Sequence, residues 1–212
     1  MATIVVIAKE PVPGRVKTRL VPPLSFEQAA AVAAASLADT LTALTDLPAH
    51  RRVIALEGAS GPWLPVDWDV TTQSSGQLDA RLTAALIACG HAPAILVGMD
   101  TPQIRAADLT VFDPVAFDAC LGLSSDGGYW AIGFRDPGLA RRVIPGVAMS
   151  VQTTGAEQLQ RLDAAGLRVQ LLEVLQDVDT FHDALQVAAL VPHSRFAGVV
   201  SGVRGLEVAG GR

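Results

Sequence analysis

The sequence predicts an α/β fold of three layers, with helices packed on both faces of a mainly parallel sheet. Three observations carry that reading. Short aliphatic and β-branched runs alternate with stretches of helical length and periodicity. Several of those runs are apolar at every position, as in strands covered from both sides. The 212 residues are 50% hydrophobic and only 17% charged, against about a quarter charged in an ordinary domain, so a large core is required.

Taken in order, Thr3 to Ala8 form a buried strand that ends in the stiff loop Lys9-Glu10-Pro11-Val12-Pro13-Gly14. Ser25-Phe26-Glu27-Gln28 has capping-box spacing and opens an Ala-rich helix to about Leu44. Arg52 to Glu57 and Trp68 to Thr72 read as the next two strands. A helix over 77–89 follows, with Leu78, Leu82, Ala85, Leu86 and Cys89 on one face. Ala94 to Gly98 is a fully buried strand, stopped by Asp100-Thr101-Pro102. A short helix is expected over 105–112. Strands from Phe117 to Leu123 and from Tyr129 to Phe134 flank a Gly-Gly turn, which suggests an antiparallel excursion rather than another crossover unit. A helix over 155–165, a strand from Val169 to Leu175 and a helix over 181–190 complete the pattern. Residues 1–192 thus form one unit, and the Gly- and Val-rich stretch from His193 to Arg212 fits no pattern.

Composition excludes several functions. Sixteen basic and 21 acidic residues leave a net charge of −5, so no global basic field exists for nucleic acid or an anionic membrane. Aromatics, at 5%, are too few for a base-stacking platform. Cys89 and Cys120 lack metal-ligand spacing and sit in apolar runs, as buried reduced thiols do. No apolar run is long enough to span a membrane and no leader precedes the first strand, so a cytoplasmic location is expected. There is no GxSxG motif, and the four histidines show no paired spacing, so nucleophilic catalysis has no candidate. Trp63, Trp68 and Trp130 are expected in the core or in pocket walls.

Open α/β sheets bind ligands beyond the carboxyl ends of their strands. Lys9, Arg15, Lys17 and Arg19 follow the first strand, four of the sixteen basic residues within eleven positions. Such a cluster suits phosphate oxygens, with Gly14 allowing close backbone approach; a solvated basic turn is the plain alternative. Asp100, Asp126, Asp177 and Asp179 follow later strands. Asp177 and Asp179, two apart on an extended segment, point the same way, although Asp179 or Thr180 is also placed to cap the last helix. A hard divalent cation takes one or two carboxylates plus phosphate oxygens. Cationic loop and acidic strand ends together specify a nucleotide diphosphate with its metal.

These residues carry a family resemblance. Ala8-Lys9-x-Pro11-x-Pro13-Gly14-x-Val16-Lys17-Thr18-Arg19-Leu20 resembles the opening signature of the glycosyltransferase A-like family DUF2064, also called radical-SAM/selenodomain-associated transferases. Gln73, Gly76-x-Leu78-x-x-Arg81, Gly98-x-Asp100-x-Pro102, Asp126-Gly127-Gly128-Tyr129-Trp130 and Asp177-Val178-Asp179-Thr180 continue the match over about residues 3–190. The resemblance implies the nucleotide-diphospho-sugar transferase superfold and a Mg²⁺ or Mn²⁺ held by Asp100, Asp179 and Asp177. It also implies nucleotide contacts from Ala8, Lys9, Gly14, Arg15, Lys17, Gln73 and Arg81. Asp126, before paired glycines, is the catalytic candidate, placed to deprotonate or position an acceptor hydroxyl, with a turn held by its own side chain as an equal alternative. Leu123-Ser124-Ser125 departs from the family pattern, and only Met149-Ser150 stands where relatives carry Trp-Ser-Thr, so the acceptor is not inherited. The expected function is a metal-dependent glycosyltransferase-like enzyme using a nucleotide-diphosphate sugar and an unspecified small-molecule or glycan acceptor. A guanylyl- or cytidylyltransferase and a non-catalytic nucleotide-binding protein are the alternatives, since a superfold does not fix a reaction.

Overall fold

The computed structural model describes residues 1–210, with side chains in the last helix described as far as Val203. Seven strands form one sheet: β1 (Thr3–Lys9), β2 (Arg51–Glu57), β3 (Asp69–Thr72), β4 (Ala94–Val97), β5 (Ala119–Leu123), β6 (Tyr129–Phe134) and β7 (Val169–Leu171), in the order β3-β2-β1-β4-β6-β5-β7. β1 pairs in parallel with β2 and β4, and β2 with β3; β6 runs antiparallel to both β4 and β5, and β5 is parallel to β7. Six strands therefore point one way and β6 alone is reversed, the excursion anticipated around the Gly-Gly turn. Reversal matters for position: the start of β6 lies at the same sheet edge as the carboxyl ends of β4 and β5.

Period-2 alternation sorts β1 between two cores. Ile4, Val6 and Ala8 face α1 (Phe26–Thr45) and α3 (Ala106–Thr110), with Ile54, Leu56, Ile95 and Val97. Val5 faces the opposite layer with Leu82 and Leu86 of α2 (Leu78–Ile87), Val143 of α4 (Ala140–Val143) and Leu162 of α5 (Thr154–Ala164). The capping box at Ser25 is complete: its hydroxyl accepts from the Gln28 amide and the Gln28 side chain accepts from the Ser25 amide.

α1 is buried on both sides. Its inner face meets the sheet, while Ala29, Val32 and Ala35 lie in a further core with α7 (Arg195–Gly210), which in turn packs on α6 (Phe181–Leu190). A helix that is apolar all round belongs between two layers, and alanine lets those layers approach closely. α7 corrects the sequence reading, which found no element after residue 192. Asp39 of α1 anchors its first turn, accepting from the Phe196 amide at 2.8 Å and pairing with Arg195 at 3.2 Å. Phe196, Val200 and Val203 then bury against α1 and α6. Residues 211–212 of the stretch lie outside the described residues.

Three further expectations are revised. The strand from Val169 stops at Leu171, and the chain rejoins the end of β5 through a single bridge between Leu175 and Ser124 before it crosses towards β4. β7 itself lies at the far edge of the sheet, beside β5. Trp68 and Trp130 are buried, whereas Trp63 is exposed in the loop before β3. Cys120 is buried and Cys89 half-buried; burial pushes both thiols up, Cys89 to about 11, so neither is a nucleophile near neutrality.

Candidate functional site

A cleft of about 1060 Å³ runs along the sheet edge where β1, β4 and β5 end and β6 begins. Ala8, Lys9, Arg15, Lys17, Gln73, Arg81, Asp100, Asp126, Asp177 and Asp179 all line it. Segments distant in sequence thus reach one edge, as the strand-end argument requires.

The late acids arrive by a crossing segment. After β7 the chain stays tied to the end of β5, where the Leu172 amide donates to Leu121 and the Leu175 amide to Leu123. It then passes over the start of β6, and the Val178 amide donates to the Asp100 carbonyl at 3.1 Å. Buried Gln103 clamps this path, its amide nitrogen donating to the Gln176 carbonyl at 2.6 Å. Thr180 caps α6, accepting from the Asp183 amide, which leaves the Asp179 side chain to the cleft.

Lys17 joins the pieces. Its side chain is only 7% exposed, with Nζ 2.9 Å from Asp100 Oδ1 and 3.6 Å from Asp179 Oδ1, and it donates to the Val178 carbonyl. Both carboxylates touch one nitrogen, so the sum of those distances, about 6.5 Å, bounds the separation of their Oδ1 atoms. Arg19 takes the other Asp179 oxygen at 2.8 Å. Lys17 holds a left-handed backbone, φ 48°, uncommon for any residue but glycine.

Asp177 has a different environment. Ser124 donates to its Oδ2 at 3.1 Å, while Oδ1 is buried with no hydrogen-bond partner. Burial, then the nearby Asp100 and Asp126 charges, push its carboxyl up to about 7, against the pull of Lys17 and the Ser124 hydroxyl. An acid that keeps its proton in the folded state well above its unfolded pKa destabilises the fold as pH rises from about 4 to 7 and contributes no further change above that. Asp177→Asn is therefore expected to be more stable than the parent at pH 8 in EDTA, by up to about 4 kcal/mol, and to lose that advantage below pH 4. Urea denaturation at both pH values checks it; equal stability at pH 8 would contradict the burial argument.

The proposed metal ligands form no ready three-carboxylate cage. Among the described residues, no three His, Cys, Asp or Glu side chains are grouped to hold one ion. The donor set nonetheless suits a hard cation: Asp100 and Asp179 already share a positive charge, and Asp177 contributes a buried, unpartnered oxygen. Two carboxylates with phosphate oxygens making up the remainder fit this arrangement better than three carboxylates alone.

Some expected nucleotide contacts have other work. Gln73 donates both amide hydrogens to backbone carbonyls, Ala8 at 2.8 Å and Ala55 at 2.9 Å, and accepts from Arg81 at 3.1 Å. It staples β1 to β2, so Gln73 and the Ala8 carbonyl are spent. Arg81 also pairs with Glu57 at 2.5 Å, and Lys9 pairs with Glu57 at 3.4 Å. Glu57 was missed, although a charged residue at the end of an apolar strand is the signal that singled out Asp100. Burial raises its carboxyl, but Lys9 and Arg81 outweigh that and hold it below the usual range. Gly14 does not line the cleft; its φ of 78° serves the turn in which the Arg15 amide donates to the Val12 carbonyl.

Across the cleft, Asp126 Oδ1 accepts from the Gly128 amide at 2.9 Å, an Asx turn. The Gly155 amide donates to the Gly127 carbonyl at 2.8 Å, docking this turn on the start of α5. Met149 and Ser150 line the same wall, Ser150 with φ 61°.

Among solved structures, the chain resembles a protein from Desulfovibrio desulfuricans G20 whose description as a nucleotide-diphospho-sugar transferase is itself provisional, at 25% identity and TM-score 0.86 over 97% of both chains. Rv0371c from Mycobacterium tuberculosis H37Rv, also crystallised as a manganese complex, is 22% identical with TM-score 0.56 over 88% of this chain and 97% of that one. The 2-C-methyl-D-erythritol 4-phosphate cytidylyltransferase of Thermus thermophilus is 19% identical with TM-score 0.55, covering 90% and 98%. The last two likenesses bear on fold alone. No curated protein matches. Residues 28–151, more than half the chain and spanning α1 to the cleft wall at Ser150, match the family described as "Uncharacterized protein conserved in bacteria (DUF2064)", and the protein belongs to that family.

Proposed function

We propose that the protein is a glycosyltransferase-like enzyme that takes a nucleotide-diphosphate sugar together with Mg²⁺ or Mn²⁺. The observation that carries this reading is the convergence at one cleft of the basic β1 loop with Asp100 and Asp179, joined through Lys17. The likeness to the Desulfovibrio protein along nearly the whole chain supports the substrate class, and the oxygen donors of Asp100, Asp179 and Asp177 support the metal.

In this reading Lys9, Arg15 and Lys17 bind the diphosphate by charge-assisted hydrogen bonds. Asp100 and Asp179 hold the cation, with Asp177 beside them. When bound, the metal supplies positive charge that stabilises the departing nucleoside diphosphate. Asp126 sits across the cleft, one oxygen fixed by its turn and the other available to an acceptor hydroxyl. It takes the hydroxyl proton as the acceptor oxygen bonds to the anomeric carbon and the bond from that carbon to the phosphate oxygen breaks.

Thermal shift against nucleoside diphosphates, triphosphates and nucleotide sugars, each with and without Mn²⁺, tests the proposal. A nucleotide sugar at a hundred times its Kd should add roughly 2.7 kcal/mol of stability, and only with metal present at full size. Stabilisation by one triphosphate, with pyrophosphate release, would favour nucleotidyl transfer, for which the cytidylyltransferase fold is precedent. No response to any nucleotide would overturn both.

A further inference from the structure

The Lys17 ammonium occupies a place suited to a different cation. Its neighbours are two carboxylate oxygens and one backbone carbonyl oxygen, from Asp100, Asp179 and Val178. These are hard oxygen donors of the kind Mg²⁺ and Mn²⁺ take. The ammonium is compact and carries three donors, so it matches that set as a point charge rather than as a planar fork. The side chain is almost fully withdrawn from solvent. Its left-handed backbone is a conformation that persists only where surrounding contacts fix it.

We propose that Lys17 is an internal stand-in for the divalent cation. In the nucleotide-free protein its ammonium neutralises Asp100 and Asp179, and a metal ion enters between them only as Lys17 leaves. This inference rests on the reading of the cleft as a metal and diphosphate site. Two positive groups cannot share the space between acids whose Oδ1 atoms lie within about 6.5 Å of each other without strong repulsion. The diphosphate gives the displaced ammonium a new anionic partner, so metal and nucleotide favour each other reciprocally. Lys17 acts here as a positioning residue: it decides when the acids are open to a metal. The acid site also stays charge-balanced between turnovers without a resident ion, and Arg19 keeps Asp179 in place during the exchange.

The test uses Mn²⁺ alone, followed by electron paramagnetic resonance on nucleotide-free protein. Lys17→Met keeps the length of the side chain and removes its charge. It is expected to bind Mn²⁺ at least about tenfold more tightly than the parent, because two carboxylates lose their competing cation. Equal or weaker binding by a folded Lys17→Met would overturn the proposal, since a lysine with a purely structural role competes with no metal. Should that variant fail to fold, the parent chain gives the same answer through amine acetylation read by mass spectrometry. Lys17 should be protected in EDTA and become labelled at the millimolar Mn²⁺ that raises the melting temperature. Labelling unchanged by Mn²⁺, or no effect of millimolar Mn²⁺ on either readout, would overturn it as well. Because no nucleotide is present, failure of the nucleotide-sugar reading leaves these outcomes legible, and failure here leaves donor binding untouched.

Discussion

Asp100→Asn is expected, if the cleft takes a nucleotide-diphosphate sugar with its metal as proposed, to lower release of nucleoside diphosphate by roughly a thousandfold, about 4 kcal/mol of transition-state stabilisation. Asp100 is the acid most central to the cleft: it follows the middle strand β4, its carbonyl receives the crossing segment, and its carboxylate faces Lys17 at 2.9 Å. Asparagine keeps the shape and the backbone contact while removing the charge. The melting temperature should therefore change by only a few degrees, as Asp100 is itself more than a third exposed and Lys17 keeps Asp179 and the Val178 carbonyl as partners. Coupled detection of the diphosphate product, beside a circular-dichroism melt, separates the two effects. Turnover within tenfold of the parent would remove Asp100 from the metal site.

The second large effect concerns stability. Gly127→Ala is expected to cost at least about 3 kcal/mol, from a Cβ forced at positive φ into a well-packed neighbour. Gly127 has φ 93°, and an added Cβ would run far inside van der Waals contact with the Gln152 carbonyl. The clash is with backbone on both sides, so no side chain can swing away to relieve it. The melting temperature should fall by roughly 6–12 °C in a chain of this length, with an unchanged urea m-value if the transition stays two-state. A loss under about 1 kcal/mol would mean that the turn carrying Asp126 is not docked on the start of α5. That result would also weaken any role for Asp126 in fixing an acceptor.

Much of this architecture is legible in the sequence because strand ends leave strong local marks. β1, β4 and the antiparallel β5–β6 pair follow from apolar runs and their terminators, and the cleft residues from asking what each strand is followed by. What escaped was decided by tertiary contacts. α7 contains Gly198, Gly202 and Gly205, which lower helix propensity, and it is helical because Phe196 and Val200 have α1 and α6 to bury against. A clue was present: α1 is alanine-rich on every face, and a helix with no polar face needs a second cover. Gln73 is expected at the nucleotide only through the family resemblance, and sequence carries no record of its two hydrogen bonds to backbone carbonyls. The ion pairs of Lys17 likewise link positions some 80 and 160 residues away, which only the folded sheet edge brings together.

The seating of α7 on α1 sets an order on biosynthesis. α1 leaves the ribosome well before α7, whose residues cover its outer face and follow after position 195. Until then Ala29, Val32 and Ala35 present a smooth, greasy stripe to water, on a nascent chain whose sheet has otherwise all its strands. Trimming a recombinant fragment to the family-matched stretch, or to residue 192, would make that transient exposure permanent. Such fragments should be recovered largely as inclusion bodies, and a fragment retaining the helix to Gly210 should not.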